Sequence, residues 1–437
     1  MSERPETPQS PGPAGPGART EAARAAELDA AGPLTATRER FVLDDDTVYL
    51  DGNSLGALPR SVPGRIAEVI GREWGELRIR SWTEAGWWTA PERIGEKIAP
   101  LLGAAPGQVV VGDSTSVNVF KAVTGAIRMA GKGTTEILVD ATTFPTDGYV
   151  ARSAARMAGL AVRPVEPARI ADEVTERTAL ALVNHVDYRT GELNDMASIT
   201  AALHTAGALA VWDLCHSAGA LPVALDACGA DLAVGCTYKY LNGGPGAPAY
   251  LYIRRSLQER FESPLPGWNS HSDPFGMAPG YTPADGILRG RVGTPDILSM
   301  LALEAALEAW EGVAIEEVRA KSLALTDFFL ACVAAYVPAG RVRSVTPADH
   351  RRRGSQVSLA CPGAGEVMAE LIRRGVVGDY RPPDVLRFGF TPLYTSFADA
   401  ERAAWVLGEV LRDRAADPGP AADPAAADPG VPGGGAG

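Results

Sequence analysis

The sequence predicts an α/β protein, in which a large domain has a central, mostly parallel sheet flanked by helices and a smaller α/β domain follows it. Short apolar runs predict the strands of that sheet, at 136–140, 180–184, 209–213, 231–236 and 249–253. These runs are almost unbroken in apolar residues, so we expect strands buried on both faces. Stretches with helical character separate several of them and are long enough for parallel crossovers.

The remaining segments predict the domain organisation. We expect an unstructured tail over 1–20, an N-terminal segment over 21–60, a large domain over 61–305, a small domain over 306–413 and a second unstructured tail over 414–437. Both tails are rich in Pro, Ala, Gly and Asp and have almost no large apolar side chains to offset the entropy of ordering. A long helical run after Pro295, followed by mixed strands and helices, predicts the small domain.

Composition and charge exclude several classes of protein. The chain has 437 residues, of which 46% are hydrophobic and 22% charged, and it can bury a large core. A net charge of −12 argues against a nucleic-acid partner. The five cysteines lack the spacing of a zinc site or a disulfide framework. We therefore expect that the protein binds no metal and is located in a reducing cytoplasm. No signal peptide or membrane span is recognisable.

An aspartate and a lysine lie where two neighbouring strands are expected to end. Asp213 closes the run LAVWD, and His216 follows three residues later. Open α/β sheets place ligand contacts at the carboxyl ends of central strands. The segment between Asp213 and Lys239 has room for a turn, a short helix and one more strand, which would return Lys239 to the side of Asp213. The glycine-rich stretch LNGGPG after Lys239 allows a ligand to approach the backbone closely.

This pair suits pyridoxal 5′-phosphate. That cofactor needs an amine with a lowered pKa to form an imine, and a carboxylate to keep its pyridine nitrogen protonated. Its phosphate needs an anion site, and Ser114, Thr115 and Ser116 open an amphipathic helix whose free N–H groups attract anions. A surface lysine and capping side chains are the ordinary alternatives. The joint spacing predicts a cofactor-dependent enzyme that acts on an amino acid.

Eight motifs, in order, resemble those of the kynureninase family, whose members depend on pyridoxal phosphate and have the aspartate aminotransferase-like fold. They are YLDGNSLGALPR (49–60), FPTD (144–147), NHVDYRTG (184–191), WDLCHSAG (212–219), YKYLNGGPG (238–246), GWNSH (267–271), LRGRVGTP (288–295) and RFGFTPLYTSF (387–397). The resemblance covers about residues 40 to 410. The stretch IRSWTEAGW (79–87) is similar to bacterial members, because animal members have a histidine where Trp82 aligns.

The resemblance implies a cofactor role for each matched residue. The residues are Thr115, Ser116 and Tyr238 at the phosphate, Phe144 stacked on the pyridine ring, Asp147 anchoring the loop near the ring, Asn184 in contact with the cofactor, Asp213 paired with the pyridinium, His216 on the cofactor's oxygen side and Lys239 forming the imine. In this family two further cofactor contacts arrive from a partner subunit, and Trp268 and Thr294 match them. We therefore expect a homodimer.

The substrate site and the reaction also follow from the resemblance. Arg387 matches the arginine that clamps the substrate α-carboxylate, and Trp82 and Thr294 are the expected determinants of ring specificity. The implied reaction is hydrolysis of the Cβ–Cγ bond of L-kynurenine to anthranilate and L-alanine. Lys239 would move the Cα proton, and Tyr238 is our hypothesised proton donor and acceptor at the γ-carbonyl. Kynurenine, 3-hydroxykynurenine and a ring-methylated analogue remain open as substrates, in tryptophan breakdown or in secondary metabolism.

Two other interpretations use the same residues. A cysteine desulfurase or selenocysteine lyase shares the fold, the aspartate and the lysine, but needs a mobile nucleophilic cysteine, for which Cys361 is the candidate. It ends an apolar strand-like run, where a cysteine is more often a small buried hydrophobe. The chain could also bind the cofactor without catalysis, since a fold does not prove a function. Intact Lys239, Asp213 and Arg387 argue against that.

Overall fold

The structure, a computed structural model, describes residues 16–416, and side chains are described over residues 20–415. The rest of the two expected tails lies outside this part. A helix, Pro16–Ala31, begins inside the segment 1–20 that we expected to be unstructured, and the last helix, Phe397–Ala416, continues beyond residue 413. The composition of 1–20 gave no sign of this helix. It is anchored further along, where Ala25 is buried and Leu28 packs against the core of the small domain.

The strands and helices are as follows. The strands are β1 (Val48–Tyr49), β2 (Val109–Val111), β3 (Glu136–Asp140), β4 (Ala161–Val165), β5 (Thr178–Asn184), β6 (Leu209–Asp213), β7 (Leu232–Gly235), β8 (Tyr250–Ile253), β9 (Arg343–Ser344), β10 (Gln356–Ala360), β11 (Val376–Val377), β12 (Asp379–Arg381) and β13 (Val385–Gly389). The α-helices are α1 (Pro16–Ala31), α2 (Ser61–Glu68), α3 (Ser81–Glu84), α4 (Ala90–Ile98), α5 (Thr115–Met129), α6 (Pro145–Ala158), α7 (Ile170–Glu173), α8 (Met196–Thr205), α9 (Leu225–Cys228), α10 (Ile297–Ala306), α11 (Ile315–Tyr336), α12 (Ala364–Arg373) and α13 (Phe397–Ala416).

The large domain is built on a seven-stranded sheet with the order β2-β8-β7-β6-β5-β3-β4. β8 runs antiparallel to both of its neighbours, and the remaining pairs are parallel. The predicted mostly parallel sheet is confirmed. Strands β2 and β4 had no sequence signal, because β2 has only three residues and β4 is an edge strand with exposed Ala161 and Pro164.

Helices cover both faces of this sheet. On one face, apolar residues of α4, α8 and α10 pack together, among them Ile94, Leu203 and Met300. On the other face, α5 and α6 contribute Val123 and Ala154. The strands between them are buried on both sides, which explains their unbroken apolar runs. The carboxyl ends of the parallel strands therefore form the accessible edge of a rigid layer.

The small domain has a four-stranded antiparallel sheet with the order β12-β13-β10-β9, packed against α11, α12 and α13. The N-terminal segment adds to this domain, since β1 pairs in parallel with β11 and α1 contacts α13. Just beyond β1, Asp51 forms a β-bridge with Gly389. The N-terminal segment thus brings residues 51–56 between the small domain and the carboxyl edge of the large sheet.

Within residues 16–416, no helix combines the length and apolar character needed to cross a bilayer.

Candidate active site at the carboxyl ends of the parallel strands

Asp213 lies at the end of β6 with both carboxylate oxygens engaged. Asn184, which ends the neighbouring strand β5 and is in register with Asp213, donates from Nδ2 to Asp213 Oδ2 at 3.1 Å. The backbone N–H of Cys215 donates to Oδ1 at 2.6 Å. Because the carboxylate is buried and held from two sides, its orientation is fixed by the sheet itself.

A second carboxyl group, Asp147, faces Asp213 from the first turn of α6. It is buried and hydrogen-bonded to Asp213, and burial together with the charge of Asp213 raises its pKa well above the usual range. Two carboxylates at hydrogen-bonding distance cannot both stay ionised in a buried place. Asp147 is therefore expected to keep its proton and to donate a hydrogen bond to Asp213. In that case Asp147, which we predicted to lie near the cofactor ring, would act by supporting Asp213.

The Lys239 amine lies 3.0 Å from Nε2 of His216. Burial and then the charge of Lys239 lower the pKa of His216 well below its usual value, so the imidazole is neutral and Nε2 can accept a hydrogen bond from the Lys239 amine. The other ring nitrogen, Nδ1, is buried without a hydrogen-bond partner among the described residues. The spacing predicted that Lys239 returns to the side of Asp213, and both residues line the same cavity as His216.

The N-terminal segment fixes the loop that carries Lys239. Gly56 donates its N–H to the carbonyl oxygen of Tyr238 at 2.7 Å. A Cβ added to Gly56 would lie only 2.3 Å from the Lys239 carbonyl oxygen, so only glycine allows this approach. On the other side, Asn242 adopts a positive φ of 57° and donates its N–H to the Lys239 carbonyl oxygen at 2.9 Å.

The expected phosphate site is the N-terminus of α5, a helix of 15 residues. Ser114 is the N-cap, and its hydroxyl accepts from the N–H of Val117 at 3.4 Å. With the cap supplied by Ser114, Thr115 and Ser116 are left to line the cavity in front of the helix. Oγ1 of Thr115 is buried and has no partner in the described part of the chain. Free hydroxyl and N–H groups at a helix start suit an anion.

These groups surround one cavity of about 110 Å³. Its lining residues are Thr115, Ser116, Phe144, Thr146, Asp147, Asn184, Tyr188, Asp213, Cys215, His216, Tyr238 and Lys239. Nine of the predicted site residues are brought together here. Reasoning from the sequence missed Thr146, Tyr188 and Cys215 as lining residues, although each lies within a recognised motif. The ring of Phe144 is partly exposed and packs edge-on against Tyr188, with centroids 5.3 Å apart.

Tyr238 presents its ring beside the lysine, and the Lys239 amine lies 5.9 Å from the ring centroid. The charge of the neighbouring Cys236 and partial burial raise the pKa of the Tyr238 phenol. A phenol is protonated at neutral pH, so the group can donate a hydrogen bond, while the raised pKa makes it a weaker acid and its phenolate a stronger base.

Arg387 lies on β13 of the small domain, beside this cavity, and is 1% exposed. Nη1 donates to the carbonyl oxygen of the lining residue Tyr188 at 2.9 Å. Nη2 donates to Ser54 Oγ at 2.9 Å and pairs with the carboxylate of Asp379. With the Asn53 amide turned to satisfy its neighbours, its oxygen accepts from Nε at 3.2 Å. The guanidinium is therefore held between both domains and the N-terminal segment.

Besides Arg387, three predicted residues do not line the cavity in this single chain. Trp82 lines a surface depression next to a π-helical stretch, Val69–Leu77. Trp268 packs against Trp88 with centroids 5.6 Å apart and is 36% exposed. Thr294 is exposed and lines a small cleft with Asp113, the residue before the N-cap of α5. Their roles in the site stay predictions.

The cysteine that a desulfurase would need does not have the required setting. Cys361 is 1% exposed within the apolar core of the small domain, and its Sγ lies 3.5 Å from the carbonyl oxygen of Pro362. Burial raises the pKa of its thiol, which disfavours the nucleophilic thiolate. The interpretation of Cys361 as a small buried hydrophobe agrees with this structure.

The unpartnered atoms of the cavity match the groups of pyridoxal phosphate. Thr115 Oγ1, Asn184 Oδ1 and His216 Nδ1 are buried polar atoms without partners among the described residues, and all three residues line the same cavity. Such atoms are costly unless a ligand satisfies them. An anion site, a fixed carboxylate and an amine surround the same space, so the residues fit an anionic, aldehyde-bearing pyridine cofactor.

Comparisons with known proteins agree on a family. A family model described as the kynureninase C-terminal domain matches residues 318–407. The kynureninase of Deinococcus radiodurans is 50% identical over 390 residues, which cover 88% of this chain and 95% of that protein. The kynureninase of Burkholderia pseudomallei (strain 1106a) is 47% identical over 392 residues, which cover 88% of this chain and 93% of that protein.

Solved structures show the fold. A cysteine desulfurase from Thermococcus onnurineus NA1 superposes with a TM-score of 0.74 at 19% identity, covering 86% of this chain and 98% of that one. A cystine C–S lyase in complex with its product, cysteine persulfide, superposes with a TM-score of 0.74 at 18% identity, covering 84% of this chain and 98% of that one. At such low identity these structures support the architecture alone.

Proposed function

The chain belongs to the kynureninase family, and we propose that it hydrolyses the Cβ–Cγ bond of L-kynurenine or a ring-substituted kynurenine with Lys239, Asp213 and Arg387 as its central site residues. It is an enzyme, a hydrolase of carbon–carbon bonds in ketonic substrates, and its cofactor is pyridoxal 5′-phosphate. We base the residue assignment on the cavity, where an amine, a fixed carboxylate and a helix N-terminus surround polar atoms that have no partner among the described residues.

When bound through Lys239, pyridoxal phosphate supplies an electron sink for negative charge at Cα and later at Cβ of the substrate. Thr115, Ser116 and the first N–H groups of α5 would bind its phosphate. Asp213 would hold a proton on the ring nitrogen, and the hydrogen bonds that it accepts from Asn184 and from the N–H of Cys215 keep it oriented for that task. Phe144 borders the same cavity and is placed to cover the ring.

Lys239 is the group we assign to proton transfer at Cα. Once the substrate amine has taken its place, the lysine amine is free within the cavity and next to His216 Nε2. The neutral imidazole can accept a hydrogen bond from the amine and so steer it. His216 would thus orient the proton carrier, in addition to contacting the oxygen side of the cofactor.

Tyr238 is the group we assign to the γ-carbonyl. Its phenol carries a proton at neutral pH, and it adjoins Lys239 at the cavity wall. It could donate a proton as water adds to the carbonyl and take one back when the Cβ–Cγ bond breaks. Release of an anthranilate and of L-alanine completes the hydrolysis.

The remaining assignments concern the substrate ring and the assembly. We propose a homodimer in which Trp268 and Thr294 reach the cofactor site of the partner subunit, with Trp82 and Thr294 near the substrate ring. The aromatic cluster of Trp88, Trp268 and Phe275 supports this, because Phe275 is 68% exposed in the single chain and such a cluster is usually covered. We also propose a cytoplasmic location, with a role in tryptophan breakdown or in supplying an anthranilate unit.

Steady-state kinetics with three substrates test this function. We expect turnover of L-kynurenine, 3-hydroxykynurenine and a ring-methylated kynurenine to be detected as the corresponding anthranilate and to differ in kcat/KM. Cysteine serves as a control substrate, because Cys361 is buried and no sulfur release is expected. Sulfur release without anthranilate formation would contradict the proposal. Equal kcat/KM values for the three kynurenines would end any claim that the pocket discriminates between them.

A further inference from the structure

The guanidinium of Arg387 already has partners on almost all of its N–H groups. Nε faces Asn53, Nη1 faces the Tyr188 carbonyl, and the two N–H bonds of Nη2 are directed to Ser54 and Asp379. Among the described residues, only one N–H of this guanidinium, on Nη1, has no partner. A bidentate contact with a carboxylate needs two parallel N–H bonds, from Nη1 with Nη2 or from Nε with Nη2. Either edge includes Nη2, so one of its present partners must leave.

Asp379 is the partner that most resembles the incoming ligand. It is a carboxylate, as is the α-carboxyl group of the substrate, and it lies directly opposite Arg387 in the register of β12 and β13. Ser54 is neutral and its hydroxyl can turn to donate to a carboxylate. Two carboxylates on one edge of a buried guanidinium would repel each other, so a substrate carboxylate competes with Asp379 and not with Ser54.

Asp379 also has a second cationic partner, Arg381. Its Oδ2 lies 2.7 Å from Nη2 of Arg381, two residues along the same strand. Arg381 and Asp379 are partly exposed, at 31% and 20% of their side-chain surfaces, whereas Arg387 is almost fully buried. Asp51 is the other acidic group close to this cluster, and burial, more than the charge of Asp379, raises the pKa of its carboxyl group. A shift of Asp379 towards Arg381 moves its charge outward, away from the buried guanidinium.

We propose that Asp379 is a specificity-determining residue: an internal carboxylate that occupies Arg387 until the substrate α-carboxylate displaces it onto Arg381. This rests on the proposed role of Arg387 in binding the substrate. The exchange keeps the buried guanidinium paired at every stage, which avoids an uncompensated buried charge. It also makes binding selective, because a simple anion must compete with Asp379 alone, whereas the substrate gains contacts at the cofactor site as well. Product L-alanine would be released by the reverse exchange.

Two substitutions with opposite expected signs test the exchange. Asp379→Asn keeps the shape but removes the competing charge, so the KM for L-kynurenine and the Kd for L-alanine should each fall about tenfold. Arg381→Gln removes the alternative cation and leaves Asp379 with Arg387 and the neutral Ser54 hydroxyl, which lies 3.4 Å from its Oδ2, so both constants should rise about tenfold. In the double variant the effect of Arg381→Gln should disappear. The Kd is measured from the absorbance change of the cofactor-bound enzyme on titration with L-alanine.

Asp384→Asn is the matched control, because it removes one negative charge three residues beyond Arg381, and Asp384 is not among the partners of Arg387 in the described structure. We expect KM and Kd to stay within about twofold of the native values for this variant. The value of kcat should change by less than about threefold in all of these variants, which separates a carboxylate-binding effect from general damage. Thermal unfolding of each variant shows whether it folds, and Arg381→Gln, which keeps both Asp379 and Arg387, tests the exchange if Asp379→Asn does not fold.

Three outcomes would overturn the exchange. If Asp379→Asn raises KM and Kd, Asp379 is a fixed support for Arg387 and not a competitor. If Arg381→Gln lowers both constants or leaves them unchanged, Arg381 does not receive Asp379. Arg387→Gln is measured in parallel, and a KM unchanged by it would remove Arg387 from substrate binding and the exchange with it. A large rise for Arg387→Gln, combined with failure of the Asp379 and Arg381 predictions, would reject the exchange while leaving the proposed function intact.

Discussion

The cofactor cavity of the large domain and the Arg387 site of the small domain differ in whether their buried polar groups have hydrogen-bond partners. Around the cavity, buried atoms of Thr115, Asn184 and His216 have no partners within the described chain. In the small domain, Arg387 is nearly saturated by Tyr188, Ser54 and Asp379. A cofactor that stays bound can be the permanent hydrogen-bond partner of buried polar atoms that the protein leaves unpartnered. A substrate is present only part of the time, so its binding residue needs partners within the protein while the site is empty.

Removal of the Lys239 amine from the cavity should have the largest effect. Lys239→Ala should reduce turnover of L-kynurenine by at least about 10³-fold, because both the covalent attachment and the proton transfer at Cα are lost. Anthranilate fluorescence measures the turnover. Borohydride should fix the cofactor to the native protein but not to this variant. Native-like turnover without Lys239 would remove the cavity from the chemistry.

Asp213→Asn tests whether the charge at the end of β6 matters or only its shape. We expect kcat to fall by about 10²- to 10³-fold, since an amide cannot hold a proton on the ring nitrogen as a carboxylate can. Cofactor absorbance confirms that the variant is loaded before its rate is measured. Asn184→Ala provides a matched control, because it removes one hydrogen bond to Asp213 but not the charge. A smaller loss for Asp213→Asn than for Asn184→Ala would show that the charge is not what counts.

Arg387→Lys addresses the small-domain side of the comparison. The KM for L-kynurenine should rise by about 10²-fold, with a smaller change in kcat, because an ammonium cannot replace the planar set of donors. Steady-state kinetics give both constants. An equal loss in kcat with an unchanged KM would mean that Arg387 acts in the transition state and not in binding the carboxylate.

Tyr238→Phe sharpens the assignment within the cavity. We expect kcat to fall by about 10- to 10²-fold while the cofactor stays bound, since the ring remains and only the phenolic proton is lost. Rapid-quench analysis of anthranilate release measures the step. Full turnover by a loaded Tyr238→Phe enzyme would refute its role at the γ-carbonyl.

His185 gives the smallest expected effect, on stability and its dependence on pH. It follows Asn184 in the chain, is fully buried, and burial lowers its pKa to about 4. A histidine with a lowered folded-state pKa binds a proton more readily when unfolded, so the free energy of unfolding should fall as the pH drops from about 6.5 towards 4. The shift amounts to about 3 kcal/mol at most. Urea unfolding at pH 7.5 and 4.5 should show a shallower pH dependence for His185→Gln than for the native protein, and identical dependences would refute the assignment.

Much of the large domain could be predicted, because it rests on local patterns. The buried strands β3, β5, β6, β7 and β8 appear as apolar runs, and the segment from Asp213 to Lys239 has the length of one crossover unit. Their ends carry Asp213 and Lys239 to one edge. The side chains expected to contact the cofactor beside Asp213 and Lys239 were predicted from family motifs. Local patterns could not predict them, because the contact of Asn184 with Asp213, for example, depends on the register between two strands.

Less of the small domain could be predicted from the sequence, because its key contacts depend on pairing between segments that are distant in the chain. Arg387 was predicted from a motif, but its partner Asp379 follows from the antiparallel register of β12 and β13. Ser54 reaches it from a segment more than 300 residues away. Likewise, the parallel pairing of β1 with β11 places the N-terminal segment against the small domain. Propensity and periodicity do not encode such long-range choices.

A product balance with L-kynurenine tests whether this cavity catalyses Cβ–Cγ hydrolysis. Native enzyme loaded with pyridoxal phosphate should form anthranilate and L-alanine in equal amounts, and Lys239→Ala, loaded in the same way, should form neither above background. Absence of both products from the native enzyme, or equal product formation by the Lys239→Ala variant, would contradict the assignment of Cβ–Cγ hydrolysis to this cavity.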